Sequence, residues 1–205
     1  MTWTVPARIV TERLAVRRYV PEDAAAMSTV IPANREHLAR FLPWAAAEPV
    51  SASERAATVA RFIAEHEQGT DFPMGMFDRA TGDYVGGSGF HTRRGPGVLE
   101  IGYWIRADRE GEGLVTEAVV ALTRVALAYA RASTVEIYHV RGNVRSAAVP
   151  LRAGFASRGL AAPLGDEPAM ERWAIDAAAL RREPFASAPP PLLFDAAGVA
   201  LAWPA

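Results

Sequence analysis

The chain contains no cysteine among its 205 residues. This absence excludes disulfide bonds, thiolate metal sites and covalent catalysis by a cysteine, and it leaves the cellular compartment open. A surplus of one charge is also lacking, because 22 basic residues stand against 23 acidic ones. No overall basic charge therefore favours binding to nucleic acid or to an anionic membrane, and we expect neither as a partner.

Long apolar segments are missing as well. No stretch reaches the roughly 18 apolar residues of a membrane span, and residues 1–6 lack the apolar core of a signal peptide. Half of the chain is apolar and 22% is charged, as in soluble globular proteins, and the length suits a domain with a proper core. We expect a cytoplasmic protein.

Apolar periodicity and turn residues predict an alternation of strands and helices. Ser51 and Glu54 form the pattern of a capping box, which predicts the start of a helix. The predicted strands cover residues 9–19, 72–77, 84–91, 98–105, 135–140 and 170–175, with an extended segment from residue 154. The predicted helices cover residues 21–32, 34–43, 51–68, 113–131 and 143–152. This order indicates an α/β fold with a mixed sheet.

The C-terminal residues differ in composition from the rest. Residues 183–205 contain five of the 15 prolines and end in a short apolar stretch. We therefore divide the chain into a domain over residues 1–182 and a Pro-rich tail over residues 183–205. The tail is expected either to form a small hairpin around the turn from Asp195 to Gly198 or to be a partner-binding or loosely docked segment.

A turn between a predicted strand and the longest predicted helix carries the main chemical signal. Gly111 and Gly113 lie one residue apart immediately before this helix. Amides at a helix N-terminus bind phosphates, and glycine lets a phosphate approach the backbone closely. Taken alone, the same residues also fit a tight turn with solvated charges.

Four motifs in order resemble the GNAT superfamily of acetyltransferases, and within it the branch that acetylates the N-terminal serine or alanine of ribosomal proteins. The resemblance covers roughly residues 11–175, and segments 34–38 and 41–44 resemble the front half of the same branch. The motifs are Glu100-Ile-Gly-Tyr-Trp-Ile105, Gly111-Glu-Gly-Leu-Val-Thr-Glu-Ala118, Asn143-Val-Arg-Ser146 and Gly154-Phe155.

The resemblance implies a mixed, mostly antiparallel sheet with splayed central strands flanked by helices. It also implies acetyl-CoA as cosubstrate and no metal. The backbone near Trp104 and Ile105 is then expected to pair with the pantetheine arm, and the glycine turn to hold the pyrophosphate. The implied cofactor-binding residues are Trp104, Ile105, Arg106, Arg109, Gly111, Glu112, Gly113, Leu114, Val115, Thr116, Asn143 and Ser146.

Three positions in the turn depart from the family pattern, namely Glu110, Glu112 and Val115. A carboxylate 4 Å from a phosphate charge costs about 1 kcal/mol in water, whereas a helix N-terminus contributes about 0.3–1 kcal/mol. We therefore expect weakened acetyl-CoA binding, with Arg106 or Arg109 as the compensating cation.

The tyrosine that many family members use as a general acid is replaced here by Pro150. The resemblance assigns its role to the hydroxyl of Ser146, which can stabilise a leaving thiolate; the alternative is an ordinary residue in a helical first turn. Glu100 and His91 are the candidate bases for the amine. The alternatives are an arginine-paired carboxylate and a structural histidine.

The expected reaction is direct acetyl transfer to a primary amine. At pH 7 about 14% of an α-amine is neutral, against about 0.04% of a lysine side chain, so a site with a modest base favours an N-terminal α-amine of a protein or peptide. Trp44, Glu100 and His91 are the candidate acceptor-binding residues. The alternatives are a small amine, either a metabolite or an antibiotic, and a catalytically degenerate acyl-CoA-binding or interaction protein. The sequence leaves open whether the protein forms a homodimer.

Overall fold

The computed structural model describes residues 3–165 and 169–204, and its strands form one ten-stranded mixed sheet. Residues 1–2 of the N-terminal segment and residue 205 of the tail, which were included in the expectations above, lie outside the described residues. The strands are β1 (Arg8–Val10), β2 (Leu14–Arg18), β3 (Phe72–Asp78), β4 (Tyr84–His91), β5 (Val98–Ile105), β6 (Thr134–Val140), β7 (Ala156–Leu160), β8 (Met170–Ile175), β9 (Leu192–Phe194) and β10 (Ala200–Leu201). Their order across the sheet is β10-β9-β1-β2-β3-β4-β5-β6-β8-β7.

Every neighbouring pair in this described sheet is antiparallel except β5 with β6. That parallel pairing joins only Val98–Glu100 to residues 134–136. Beyond Glu100 the two strands separate, which opens the middle of the sheet. The predicted mixed, mostly antiparallel sheet with splayed central strands is thereby confirmed.

The helices cover both faces of the sheet. They are α1 (Asp23–Ala33), α2 (Arg35–Leu38), α3 (Ala52–Gln68), α4 (Leu114–Arg124) and α5 (Val144–Arg152). On one face, Leu114, Ala118 and Leu122 of α4 are buried in the main core with residues of the central strands. On the other face, α1 and α3 bury Met27, Ile31 and Val59 in a second apolar cluster.

The capping box predicted at Ser51 is present. The hydroxyl of Ser51 accepts from the Glu54 amide, the Glu54 carboxylate accepts from the Ser51 amide, and Gly69 caps the end of α3 with φ at 68°. The prediction of one long helix over residues 113–131 needs correction, because α4 ends at Arg124 and a single π-helical turn, Val125–Tyr129, follows it. The second predicted helix is also shorter, since α2 spans four residues and a 3₁₀ turn, Pro43–Ala47, follows.

The prediction of one strand over residues 9–19 is wrong, because this segment folds into two antiparallel strands that pair Ile9 with Val16. The residues of this reversal include no glycine or proline, which are the usual sequence signals of a turn. Locally, the Leu14 amide donates to Thr11 Oγ1 at 3.1 Å. A contact from α4 adds to this turn, where the carboxylate of Glu117 accepts from Thr11 Oγ1 at 2.5 Å and from the Arg13 amide at 2.8 Å. Part of what holds the turn therefore lies about a hundred positions away in sequence.

The C-terminal tail packs on the domain and extends its sheet. Strand β9 pairs with β1, and β9 and β10 form a hairpin around Asp195, whose carboxylate accepts from the amides of Ala197 and Val199. Phe185 and Leu193 of the tail are 1% and 2% exposed and belong to the main core. Through these contacts residues 183–204 share their core with the rest of the described chain.

Candidate active site

A cavity of about 1750 Å³ opens where β5 and β6 separate. Its walls come from the facing parts of β5 and β6, the N-terminal ends of α4 and α5, the segment around α2, and the tail. Because the backbone of β5 beyond Glu100 has no partner on β6, its polar groups on that side are available to a bound molecule. An elongated ligand can therefore lie between the two strands and leave past the N-terminus of α4.

The turn between β5 and α4 has the geometry of an anion site. Gly111 and Gly113 have φ at 79° and 80°, which glycine adopts without strain. The first helical bond of α4 runs from the Glu117 amide to the Gly113 carbonyl, so the preceding amides of the helical turn have no acceptor within the helix. A Cβ added at Gly111 would meet nothing within 4 Å, so a phosphate has room to approach the backbone there.

The acidic residues of this turn are each paired with an arginine. Glu110 accepts from Arg145 at 2.6 Å, and Glu112 lies 3.0 Å from Arg109. Arg13 lies beside the same turn, because its guanidinium donates to the Glu112 carbonyl at 2.8 Å and pairs with the Glu117 carboxylate at 2.6 Å. These pairs reduce the repulsion that Glu110 and Glu112 would otherwise exert on a phosphate.

Of the two compensating arginines expected from the sequence, only Arg109 lines the cavity. It also bonds to Asp78 at 2.8 Å, and these hydrogen bonds lower the pKa of the Asp78 carboxyl. Arg106 pairs with Asp108 at 2.6 Å and is not among the residues of the cavity wall, so its role in the cofactor site stays a prediction. The other predicted cofactor-binding residues all line the cavity.

Ser146 lies beside the separation of the central strands, in the first turn of α5. Asn143 caps this helix, with its Oδ1 accepting from the Ser146 amide at 3.1 Å. The hydroxyl of Ser146 donates to the phenolic oxygen of Tyr103 at 3.1 Å, and Tyr103 donates to the Ser146 carbonyl at 2.9 Å. Burial raises the pKa of Tyr103, although the hydrogen bond from Ser146 acts in the opposite direction, so the phenol stays protonated.

Glu100 and His91 lie outside the cavity wall. The carboxylate of Glu100 is buried and accepts from Arg93 at 2.5 Å and from Arg94 at 2.6 Å. Burial alone would raise the pKa of Glu100, but the two arginines outweigh it and the pKa falls below its ordinary value. His91 bonds to Asp71 at 2.7 Å. The structure therefore does not support either residue as the base, and it gives Glu100 the arginine-paired arrangement that was the alternative.

Aromatic side chains form the wall on the side of β5 opposite to Tyr103. Trp104 lines the cavity and covers Gly87, where an added Cβ would lie 2.5 Å from the indole nitrogen. This close approach explains the glycines of β4 as packing positions. Trp44 packs edge-on against Trp104 with ring centroids 6.1 Å apart, and it is 46% exposed. Phe41 of the same segment lines the cavity.

Sequence reasoning missed three groups of cavity residues. Tyr103 lies within the motif of residues 100–105, where its hydroxyl was the available signal, and Arg13 and Arg145 are distant in sequence from the turn they contact. The tail was missed as well, because Pro184 and residues 188–192 line the cavity. Only the folded chain brings these residues together.

A family model described as an acetyltransferase (GNAT) domain matches residues 13–156. The chain therefore belongs to the GNAT family of acetyltransferases, and the enzyme class expected from its motifs is confirmed. No helix in residues 3–165 and 169–204 has the length and apolar character to cross a membrane.

Individual relatives agree with this assignment. A Bacillus subtilis (strain 168) protein assigned as the ribosomal N-acetyltransferase YdaF is 28% identical over 153 residues, which are 74% of this chain and 82% of that protein. A Vibrio cholerae structure assigned as a ribosomal-protein-serine acetyltransferase superimposes with a TM-score of 0.71 at 22% identity, covering 84% of this chain and 99% of that one. Mycobacterium smegmatis RimJ, solved with CoA-disulfide, gives a TM-score of 0.69 at 22% identity over 87% and 90% of the two chains. The two structures share the fold with this protein, and all three relatives bear names from the branch that the motifs indicated.

Proposed function

We propose that this protein transfers the acetyl group of acetyl-CoA to the N-terminal α-amine of a protein. The observation that carries the proposal is the pair of hydroxyls, Ser146 and Tyr103, at the point where β5 and β6 separate. The names of its relatives, two of which refer to ribosomal proteins, support a protein as the acceptor.

The residues present fit acetyl-CoA. The glycine turn and the free amides of α4 suit its pyrophosphate, and the unpaired backbone of β5 suits the amide-bearing pantetheine arm. Asn143 uses its Oδ1 within the helix cap, and its Nδ2 has no partner among the described residues, so this amide is available to the arm. The thioester then lies near Ser146.

The two hydroxyls stabilise the leaving thiolate. As the amine attacks the carbonyl carbon and the carbon–sulfur bond breaks, negative charge develops on sulfur. The Ser146 hydroxyl can turn from Tyr103 to donate to that sulfur, while Tyr103 can turn to donate to Ser146. Hydrogen-bond donors fixed in place before the reaction lower its barrier because they need no rearrangement in the transition state.

The acceptor preference follows from the lack of a strong base on the two strands and the helix around Ser146. Among the described cavity residues of β5, β6 and α5, His139 is the only carboxylate or imidazole, and its Nε2 accepts from Trp173 at 2.9 Å. Such a site suits an amine that is already partly neutral at pH 7. An α-amine, with about 14% in the neutral form, meets this condition far better than a lysine at about 0.04%.

The test uses a peptide that carries a free N-terminus and an internal lysine. The reaction is measured by the release of CoA, and the acetylated position is identified by mass spectrometry of the product. We expect acetyl only on the α-amine. The matched control is the same peptide with its N-terminus blocked, for which CoA release should fall to the background rate. Acetylation of the blocked peptide at lysine would overturn the acceptor assignment, and turnover with small amines alone would favour a metabolite or antibiotic acceptor.

A further inference from the structure

A second, smaller pocket adjoins the main cavity on the side of α2. It has a volume of about 540 Å³ and lies between the corner from α1 to α2 and the 3₁₀ turn that follows β5. We call it the side pocket. Four residues line both the side pocket and the main cavity, namely His37, Arg40, Glu110 and Arg145. A bound molecule can therefore extend from one space into the other.

The side chain of Asn34 fixes the position of the side pocket. Asn34 is buried at the corner between α1 and α2. Its Nδ2 donates to the Val30 carbonyl at 2.8 Å, and its Oδ1 accepts from the Ala107 amide at 2.8 Å. Because these bonds join the corner to the segment after β5, the two walls of the side pocket keep a fixed separation.

The carboxylate of Glu110 joins the side pocket to the first turn of α5. It lies 3.6 Å from Nε2 of His37 on α2 and 2.6 Å from Nη1 of Arg145 on α5. Arg145 directly precedes Ser146, where the thioester is proposed to lie. The side pocket therefore begins beside the proposed reaction centre.

The charge of the side pocket that is not already paired is mainly positive. Arg40 is exposed and forms no ion pair or hydrogen bond with a described residue. Arg35 donates from Nη2 to the Ala46 carbonyl at 3.1 Å and has no carboxylate partner among the described residues. Glu36 is the one carboxylate of the side pocket outside the bridge described above. Two guanidinium groups against one carboxylate favour an anionic group there.

The cations of the side pocket are of a kind that an acetyl donor does not modify. The chain contains no lysine, so all 22 of its basic residues are arginine. A guanidinium stays protonated in proteins, and its planar fork can bind a carboxylate through two hydrogen bonds. Arg40 can therefore hold a carboxylate close to bound acetyl-CoA without becoming an acceptor itself.

We propose that the side pocket, with Arg40 as its main cation, binds an acidic side chain within the first few residues of the acceptor. The inference rests on the proposed function and names the class of peptide that the site prefers. An extended peptide advances about 3.3 Å per residue, so residues two to four lie within about 10 Å of the α-amine. With the α-amine beside Ser146, this length reaches into the side pocket, where aspartate or glutamate pairs with Arg40.

The test compares two peptides that share their first residue and carry either aspartate or asparagine at positions two to four. The full chain should acetylate the aspartate peptide with about fivefold higher kcat/KM at low salt, mainly through a lower KM, as for an exposed pair of opposite charges. Added salt should reduce this ratio. Arg40→Gln should lower the ratio to about twofold or less and leave the calorimetric affinity for acetyl-CoA unchanged.

Arg158→Gln is the matched control, because it removes the same charge from an exposed position on β7 outside the walls of both spaces. It should keep the ratio of the unsubstituted protein, and loss of the ratio in this variant would count against the side pocket. Equal kcat/KM for the two peptides, an unchanged ratio in Arg40→Gln, or weaker acetyl-CoA binding by that variant would overturn the inference and leave the proposed function intact. If neither peptide is acetylated at its α-amine, the proposed function fails and the inference fails with it.

Discussion

The Ser146 hydroxyl lies 3.1 Å from the phenolic oxygen of Tyr103, which in turn donates to the Ser146 carbonyl at 2.9 Å. The two residues are 43 positions apart in sequence, since Tyr103 lies on β5 and Ser146 lies in the first turn of α5. Their hydrogen bonds tie the first turn of α5 to β5 at the edge of the cavity. The pair supplies two hydroxyls where a leaving thiolate needs a donor.

Ser146→Ala should lower kcat by about tenfold or more at unchanged acetyl-CoA affinity, because it removes a donor that acts mainly in the transition state. Tyr103→Phe should lower kcat by a smaller factor, since it acts through Ser146. The double variant should lose less than the product of the two factors, as expected for residues that act together. Steady-state kinetics and calorimetry provide the measurements.

Tyr19→Phe is the control for loss of a phenol, because the Tyr19 hydroxyl bonds to Tyr84 in the second apolar cluster and lies outside the cavity wall. It should leave kcat unchanged. Full activity in Ser146→Ala would remove the hydroxyl pair from the mechanism.

Gly111→Ala should reduce acetyl-CoA affinity by at least about tenfold, because its Cβ would occupy the space that the pyrophosphate needs. Gly82→Ala is a close control, since Gly82 has the same φ of 79° and also has nothing within 4 Å of an added Cβ. Both substitutions should cost about 1–2 kcal/mol of stability through left-handed backbone strain. Only Gly111→Ala should change the calorimetric titration; equal affinities of the two variants would contradict the anion site.

Glu112→Gln should raise acetyl-CoA affinity about fivefold at low salt, because it removes a negative charge beside the turn and releases Arg109. The gain should shrink as added salt screens the exposed charges. Asp108→Asn makes the same charge change on the neighbouring pair with Arg106, outside the cavity wall, and should have little effect. An unchanged affinity in Glu112→Gln would mean that the Arg109 pair already cancels this carboxylate.

Glu100→Gln should lower the free energy of unfolding by about 2 kcal/mol at pH 7, because it breaks charge-assisted hydrogen bonds to Arg93 and Arg94. The folded-state pKa of Glu100 is depressed, so its stabilisation is present above the unfolded-state pKa near 4.3 and is lost as pH falls below it. Urea unfolding should therefore show a difference between the two proteins above about pH 5 that narrows below about pH 4. The pH profile of kcat should be the same in both, and a shifted profile would restore Glu100 as the base.

Leu193→Ala in the tail should lower the free energy of unfolding by about 3 kcal/mol, because this side chain is 2% exposed in the main core. Leu192→Ala, one residue earlier on the same strand, is the control, since Leu192 is 61% exposed. It should change stability by less than about 0.5 kcal/mol. Thermal or urea denaturation distinguishes them, and equal stabilities would contradict the docking of β9 on β1.

Local patterns were sufficient where each element depends on its own residues. The capping box at Ser51, the hairpin of β3 and β4, the apolar stripe of α4 and the glycine turn were all predictable, because helix caps, strand alternation and left-handed turns are set by neighbours in sequence. The motif order also identified the family, and all but one of the predicted cofactor-binding residues line the cavity.

Tertiary structure decided the partners of the charged and polar groups. Glu100, placed by sequence as a base, is held by Arg93 and Arg94, and Glu117 of a distant helix adds to the local bonds that hold the reversal at residues 11–13. Ion pairs and hydrogen bonds between distant residues depend on packing, which local periodicity does not encode. For the same reason only the folded chain shows that the tail closes the cavity beside Arg124.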